Sequence, residues 1–565
     1  MQKTQRLKIG GWIVPLLAGF VLPAVADTIV WSGLGANSKW STTNNWTGGV
    51  LPTDTDRVQW GSGFTSGGPT LDAPHTVAGL NLNFNASVYV GGSALTLNGD
   101  IKHTGGTSHI YLNCPVVLGN HLTITNEALG LTSFSSVSGN YDMIHRNNLG
   151  THLEFRANNR PTWSGDIYLY GASSNNVLAT YKDGGFGTGD VFMNGWTVIK
   201  FRGEAQTISN NIAFSGSRAV EYGPDTTDAT FNHVGNLTTL EAVPLNCYLS
   251  GTRPTVRLSG SNSGPAGSRL IFYGSADGGG RFIIGSTSAL GWGYTVLGYN
   301  NNPLKVLLED GVSITNMVQI RDDYPAPVTL GSESSNSTNL VSGVVNLGNF
   351  ASAVNGTRTF LVIAGTNSLV KFTGRFYESN AGDVLNIVKD GPGIVSMSYA
   401  SDYKGATIVS NGTLLANNVT GSATSTNAVT VCSGGALGGT GSVTGPVTVQ
   451  AGGCVAPGDA VGKLTVSNLT FEAGAAFAWD YTAVTQDLLR VTGILTLPAA
   501  LTVTVNNSSG GHVPHSGRVM MECAGTLSGT PAGWTVTAPN TVRLSESGKQ
   551  VLLCGPQQGT MLKVW

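Results

Sequence analysis

The chain has 565 residues, with 30 Lys plus Arg against 32 Asp plus Glu and a formal charge of -2. Charged residues make up only 11% while glycine numbers 78, so solubility has to come from Ser, Thr and Asn. No basic excess is present to collect phosphates, which sets nucleic acid aside as a partner.

Residues 1–26 read as a secretory signal. Lys3, Arg6 and Lys8 precede an apolar run from Trp12 to Leu22, and Ala24, Val25 and Ala26 form a small-residue cleavage site. The run is too short to span a bilayer, and no later apolar stretch reaches the length a transmembrane helix needs. The mature chain is therefore expected to be secreted or carried on the cell surface, with no transmembrane segment of its own.

Residues 27–70 concentrate tryptophan: Trp31, Trp40, Trp46 and Trp60. Amphipathic rings at this density suit a sugar-stacking platform, which makes the four candidate ligand-binding residues. A second reading, which the sequence favours, is an N-terminal cap that seals the first coil of a repeating fold. Asp54 and Asp56 alternate as in a calcium loop, but the glycine and distal glutamate are missing, so a capped turn is expected.

From 71 to 380 the sequence carries loose copies of one phrase, a short β-prone run closed by glycine, as in DVFMNGWTVIKF with Gly195 and VLLEDGVSI with Gly311. This stretch also holds the densest chemistry. His145, Arg146, His152, Glu154 and Arg156, with Arg160, gather base, acid and cations in one short span, the groups a polysaccharide lyase requires. The competing reading places these charges on an outer strand face. Asp322 and Asp323 are the adjacent carboxylates a hydrolase could use, but neighbours on a strand point to opposite faces, and Tyr324-Pro325 marks a solvated turn.

Between 381 and 480 the phrase becomes regular: TIVSNGTLL, VTVCSGGAL, VTVQAGGCV and LTFEAGAAF, with Gly412, Gly434, Gly452 and Gly474 as repeat glycines. A period near twenty, β-branched alternation and a corner glycine in each unit predict a parallel β-helix, all-β, in which each strand pairs with its copy in the next coil. At about 21 residues per coil, Leu71 to Pro539 would make about 22 coils. Two stacked core columns are expected, Leu414, Ala436, Cys454 and Ala476 in one, Leu415, Leu437, Val455 and Phe477 in the other.

Residues 481–565 read as the β-rich end of the solenoid. His512 and His515 lack neighbouring ligands and are broken by Pro514, so no metal and no cofactor is expected. Six cysteines are too few for a disulfide scaffold; Cys523 and Cys554 are the candidate bridge, and the others read as single thiols.

The stretch Ile387 to Asn418 resembles the autotransporter-associated β-strand repeat of bacterial exported proteins, through Lys389, Gly391, Gly393, Tyr403, Gly405, Thr407, Gly412 and Leu414. Trp31, Trp40, Asn45, Trp46 and Pro52 are similar to the start of such chains. The resemblance implies a right-handed β-helix at or outside the cell surface, and it does not imply an enzyme. The expected function is structural or adhesive, with surface glycans or other surface proteins as partners; the alternative is a carbohydrate-active or glycan-binding β-helix with a groove along 200–380.

Overall fold

A computed structural model describes residues 27–147, 152–216, 218–225, 227–291, 293–321, 323–348, 356–507 and 512–556, together with the short strands Lys8–Ile9 and Trp12–Ile13. The remainder of the signal-like segment lies outside the described residues. Helix is confined, among the described residues, to the 3-10 turns Thr43–Asn45, Thr47–Gly49 and Thr287–Leu290. None of the helices is long and apolar enough to cross a membrane.

Backbone contacts divide the chain into two compact units, Met1–Arg146 and Asn147–Trp565. In the first, the strands Arg57–Trp60, His75–Asn83, Leu95–Gly105 and Leu122–Asn126 pair in parallel, so that Arg57, Gly79, Asp100 and Thr123 lie over one another in successive coils. Their inward residues, among them Val58, Leu80, Ile101 and Ile124, are fully buried. Removing such a column of branched side chains from water is the main force holding coil to coil.

The second unit repeats this arrangement on three faces. One face is a 14-stranded sheet running from Gln206–Ile208 to Thr526–Ser528, and a second is a 10-stranded sheet running from Ser313–Ile314 to Thr535–Val536. Every pairing within these two sheets is parallel, since each strand belongs to a new coil that winds in the same sense. The chain is therefore an all-β solenoid. Parallel order is broken in a separate six-stranded sheet, where Gln550–Cys554 runs antiparallel to both Arg518–Cys523 and Thr541–Leu544.

The regular repeats sit where the corners are tightest. Gly412, Gly434, Gly452 and Gly474 have φ of 65°, 82°, 77° and 86°, in the left-handed region that a Cβ disfavours. The amide of each of the first three donates to the carbonyl of the next, at 2.9 to 3.1 Å, so the corners form a backbone ladder along the stack.

Three expectations need correction. Coils are not uniformly near 21 residues: Gln206, Phe231, Val256, Phe282, Val306, Leu330 and Val362 are successive partners, 24 to 32 apart, because residues outside the strands lengthen the corners, and the solenoid has correspondingly fewer coils. The aligned columns slip by one at their first member, since Thr413 pairs with Ala436 and Leu414 with Leu437. The Cys432-Ser433-Gly434 corner is one residue longer than Ser410-Asn411, which displaces the strand that follows. Only one of the two columns is core: Leu414, Leu437, Val455 and Phe477 are buried to 1% or less, whereas Ala436, Cys454 and Ala476 face outward and are half-buried. Consecutive residues on a strand cannot both point inward.

Candidate functional site

Of the charged cluster read from 145 to 160, His145 and Arg146 belong to the first unit and His152, Glu154, Arg156 and Arg160 to the second. His145 is buried in the first unit, where the loss of water pushes its pKa down to about 4, while Arg146, next along the strand Met143–Asn147, is exposed. In the second unit, the strand His152–Phe155 leaves His152 exposed and turns Glu154 toward Arg156, whose Nη2 lies 2.6 Å from Oε2. Tyr181 donates to the other Glu154 oxygen at 3.3 Å, and the Arg156 guanidinium sits 4.6 Å above the Tyr181 ring. Arg160 is drawn elsewhere, to Asp183 at 3.2 Å and the Thr207 carbonyl at 2.6 Å. These are ion pairs on a sheet face rather than an acid and a base sharing one substrate position.

Asp322 lies outside the described residues; Asp323 accepts from Arg321 Nε at 2.9 Å. Asp56 accepts from the Thr53 amide and hydroxyl at 2.9 and 2.7 Å, which closes a turn. His512 and His515 are exposed, with His515 Nδ1 3.3 Å from the Gly555 carbonyl. Among the described residues no group of three or more His, Cys, Asp and Glu could hold a metal ion.

The tryptophans cannot serve as a stacking platform. Trp31, Trp40, Trp46 and Trp60 are between 0% and 5% exposed. Trp46 packs edge-on against Trp31 and Trp40, at 4.9 and 4.8 Å between centroids, and donates from Nε1 to the Trp40 carbonyl at 2.7 Å. Trp40 also stacks on His75 at 5.2 Å. Trp31, Trp40 and Trp46 build an aromatic cluster near the N-terminus and Trp60 is buried in its strand, with no face left for a sugar.

The proposed bridge is also corrected. Cys523 and Cys554 are both free, buried thiols. The antiparallel register pairs Glu522 with Gln550 and Arg518 with Leu553, which sets the two cysteines at opposite ends of the paired strands. A bond between them would need the strands to slide by several residues.

A different place gathers groups that can recognise a ligand. On the third face of the second unit, the outward positions of His152–Phe155, Ile167–Thr180, Val191–Phe201, Arg218–Tyr222, Pro244–Leu249 and Arg269–Tyr273 fall into two columns. One runs His152, Val177, Val198, Ala219; the other runs Lys200, Glu221, Tyr248, Tyr273. All of these but Tyr273 border an open groove of about 720 Å³, with Leu249 and Ser250 beside them. Such a volume falls within the range of about 300–1,000 Å³ that small-ligand sites occupy.

The polar half of the groove is a fixed network. Glu221 accepts from Arg202 Nη2 at 2.6 Å, Lys200 Nζ at 3.1 Å and Ser250 Oγ at 2.8 Å. Burial works against its charge, but the Ser250 hydrogen bond and then the two cations outweigh burial and hold the carboxyl below its usual range. The aromatic end is equally fixed. Tyr248 stacks on Tyr273 at 4.0 Å and 30°, while its side toward Glu221 lines the groove. Ile271, Tyr273 and Val296 point outward yet are buried, because Tyr248, Tyr294 and Tyr299 pack over them. Arg321 lies 4.1 Å above the Tyr299 ring. Behind these side chains the buried Arg358 donates to the carbonyls of Gly298, Arg321 and Ala326 at 2.9, 2.7 and 2.5 Å, and so fixes the loops that carry Tyr299 and Arg321.

Sequence reading did not assemble this site, because Lys200, Glu221, Tyr248 and Tyr273 share a column across coils of unequal length. The available signal was local: Glu221 stands between buried Val220 and Tyr222, and Tyr248 between Cys247 and Leu249, so alternation alone marks both as outward.

No protein-family model matches the sequence. The chain is similar to the adhesin BmaC autotransporter of Brucella suis biovar 1 (strain 1330), 33% identical over 174 residues, which covers 29% of this chain and 5% of that protein. The match thus spans a small part of the relative's length.

Proposed function

We propose that the chain is an exported, adhesin-like surface β-helix that binds its partner without turning it over. The observation that carries this reading is the 174-residue likeness to an adhesin, in a chain folded as a β-solenoid. A stack of coils presents long columns of outward side chains at a spacing of about 4.8 Å, which suits extended contact with a surface. The resemblance of residues 387–418 to a repeat of exported proteins and the signal-like residues 1–26 agree with it. The groove fits a binding role: three donors favour the charged form of the Glu221 carboxylate, so it is not set up as the proton donor that a glycosidase needs.

Cell fractionation tests the reading. Producing cells are separated into cytosol, membrane, surface wash and medium, and the purified mature chain on beads is tested for attachment to cells. The protein is expected in the wash or the medium, with beads that attach; retention in the cytosol, or beads no stickier than bare ones, overturns it.

A further inference from the structure

We infer that the groove beside Tyr248 is a binding site for a short acidic oligosaccharide, an inference that rests on the adhesin reading only for where such a ligand is met. Two cations, Lys200 and Arg202, share the single carboxylate of Glu221, which leaves a local excess of one positive charge. Glu221 takes one contact from Lys200, and the lysine side chain is still 28% exposed in the groove, so its ammonium has donors to spare for an anion. Val177, Val198 and Ala219 give an apolar floor, and Tyr248 offers an aromatic wall already braced from behind by Tyr273. A uronate ring fits this combination: its C–H face lies against Tyr248 and the apolar floor, its carboxylate meets Lys200, and a hydroxyl reaches Ser250. A peptide or a lipid would satisfy the apolar floor or the charge, but the flat, open shape and the braced ring match a chain of sugar rings laid across the coils.

The test is titration calorimetry of the full mature chain with a short oligogalacturonate and, as the uncharged counterpart, a cello-oligosaccharide. The oligogalacturonate is expected to bind, and more weakly as salt is raised. Tyr248→Ala and Lys200→Gln should each weaken it by about tenfold or more, the loss typical of an anchoring contact. Tyr248→Phe keeps the ring and should bind nearly as the parent does, which guards against a Tyr248→Ala chain that fails to fold. Lys182→Gln, which removes an exposed pair with Glu204 away from the groove, should change nothing. Equal affinity for the uncharged sugar, or indifference to Lys200→Gln, overturns the acidic class. Absence of binding by a chain that still attaches to cells overturns this inference and leaves the adhesin reading in place. Attachment that protease treatment of the target cells abolishes, and the oligosaccharide does not compete, points to a protein partner and also overturns it. Saccharide binding by a chain found in the cytosol upholds the site and removes the adhesin reading.

Discussion

Lys389 is the residue whose burial costs most in the regular repeats. It is 0% exposed and donates to the carbonyls of Asp390, Gly391 and Asn411 at 3.1, 2.7 and 2.7 Å, so it ties one corner to the corner of the next coil. Burial lowers its pKa to about 8 against the pull of Asp390. The unfolded side chain keeps its proton until about pH 10.4. Between those values the unfolded state binds more protons than the folded one, so stability rises with pH from about 8 to about 10. Lys389→Met should remove that rise, and it should destabilise the chain by about 3 kcal/mol by leaving carbonyls without donors. Thermal melting of parent and variant at several pH values checks both effects; a parallel pH dependence in the two would show that the lysine is not the titrating group. Tyr403 acts in the same region, its hydroxyl 2.6 Å from Thr407 Oγ1 inside the coil. The residues that carried the family resemblance are thus corner and core residues, which is why they pointed to a fold and said nothing about a ligand.

At the scale of the strand, alternation decides which side chains are structural. Leu437 is 0% exposed in the inward column, and Ala436 beside it faces outward. Leu437→Ala should cost about 3 kcal/mol through lost burial and the cavity it leaves, whereas Ala436→Val should stay within about 0.5 kcal/mol. Denaturant melts of the two variants check the register directly, and similar losses in both would mean that the strand is slipped. The architecture was legible between Val409 and Phe477 because Val409, Val431, Val449 and Phe471 stack in register and a left-handed glycine follows each, so the same short phrase recurs in every coil. It was not legible from Lys200 to Arg321, where the coils are 24 to 26 residues long but the sequence between strands, as at Tyr299, follows no common phrase. That irregular stretch is also where the groove lies. What is identical from coil to coil marks the repeat, and a site is made of what differs: this column runs Glu154, Ala179, Lys200, Glu221, Tyr248 and Tyr273.

For the whole molecule, the division into two units and the placement of neutral buried histidines together predict how it unfolds. His103 and His145 belong to the first unit, and His233 to the second. His103 holds Ser108 Oγ at 2.8 Å and Thr132 Oγ1 at 3.0 Å in the coil interior; burial, aided by His145, depresses its pKa to about 3. His145 falls to about 4 and His233 to about 3, both through burial. In the unfolded chain all three take up protons near pH 6.5. The unfolded state therefore binds more protons from about pH 6.5 down to about 4, and stability, intact above that window, is lost as pH falls through it. His75 and His109, also in the first unit, are lowered by burial as well, whereas burial raises Asp487 in the second unit to about 7, so that it takes up a proton in the folded state over the same window and offsets His233; the acid loss should therefore fall mainly on the first unit. Calorimetry should then resolve two transitions that separate further on acidification, the more acid-sensitive one belonging to the first unit. His145→Gln should flatten the pH dependence of that transition by about one proton and leave the other unmoved. A single transition that shifts as one under this substitution would show that the two units melt as a single cooperative block.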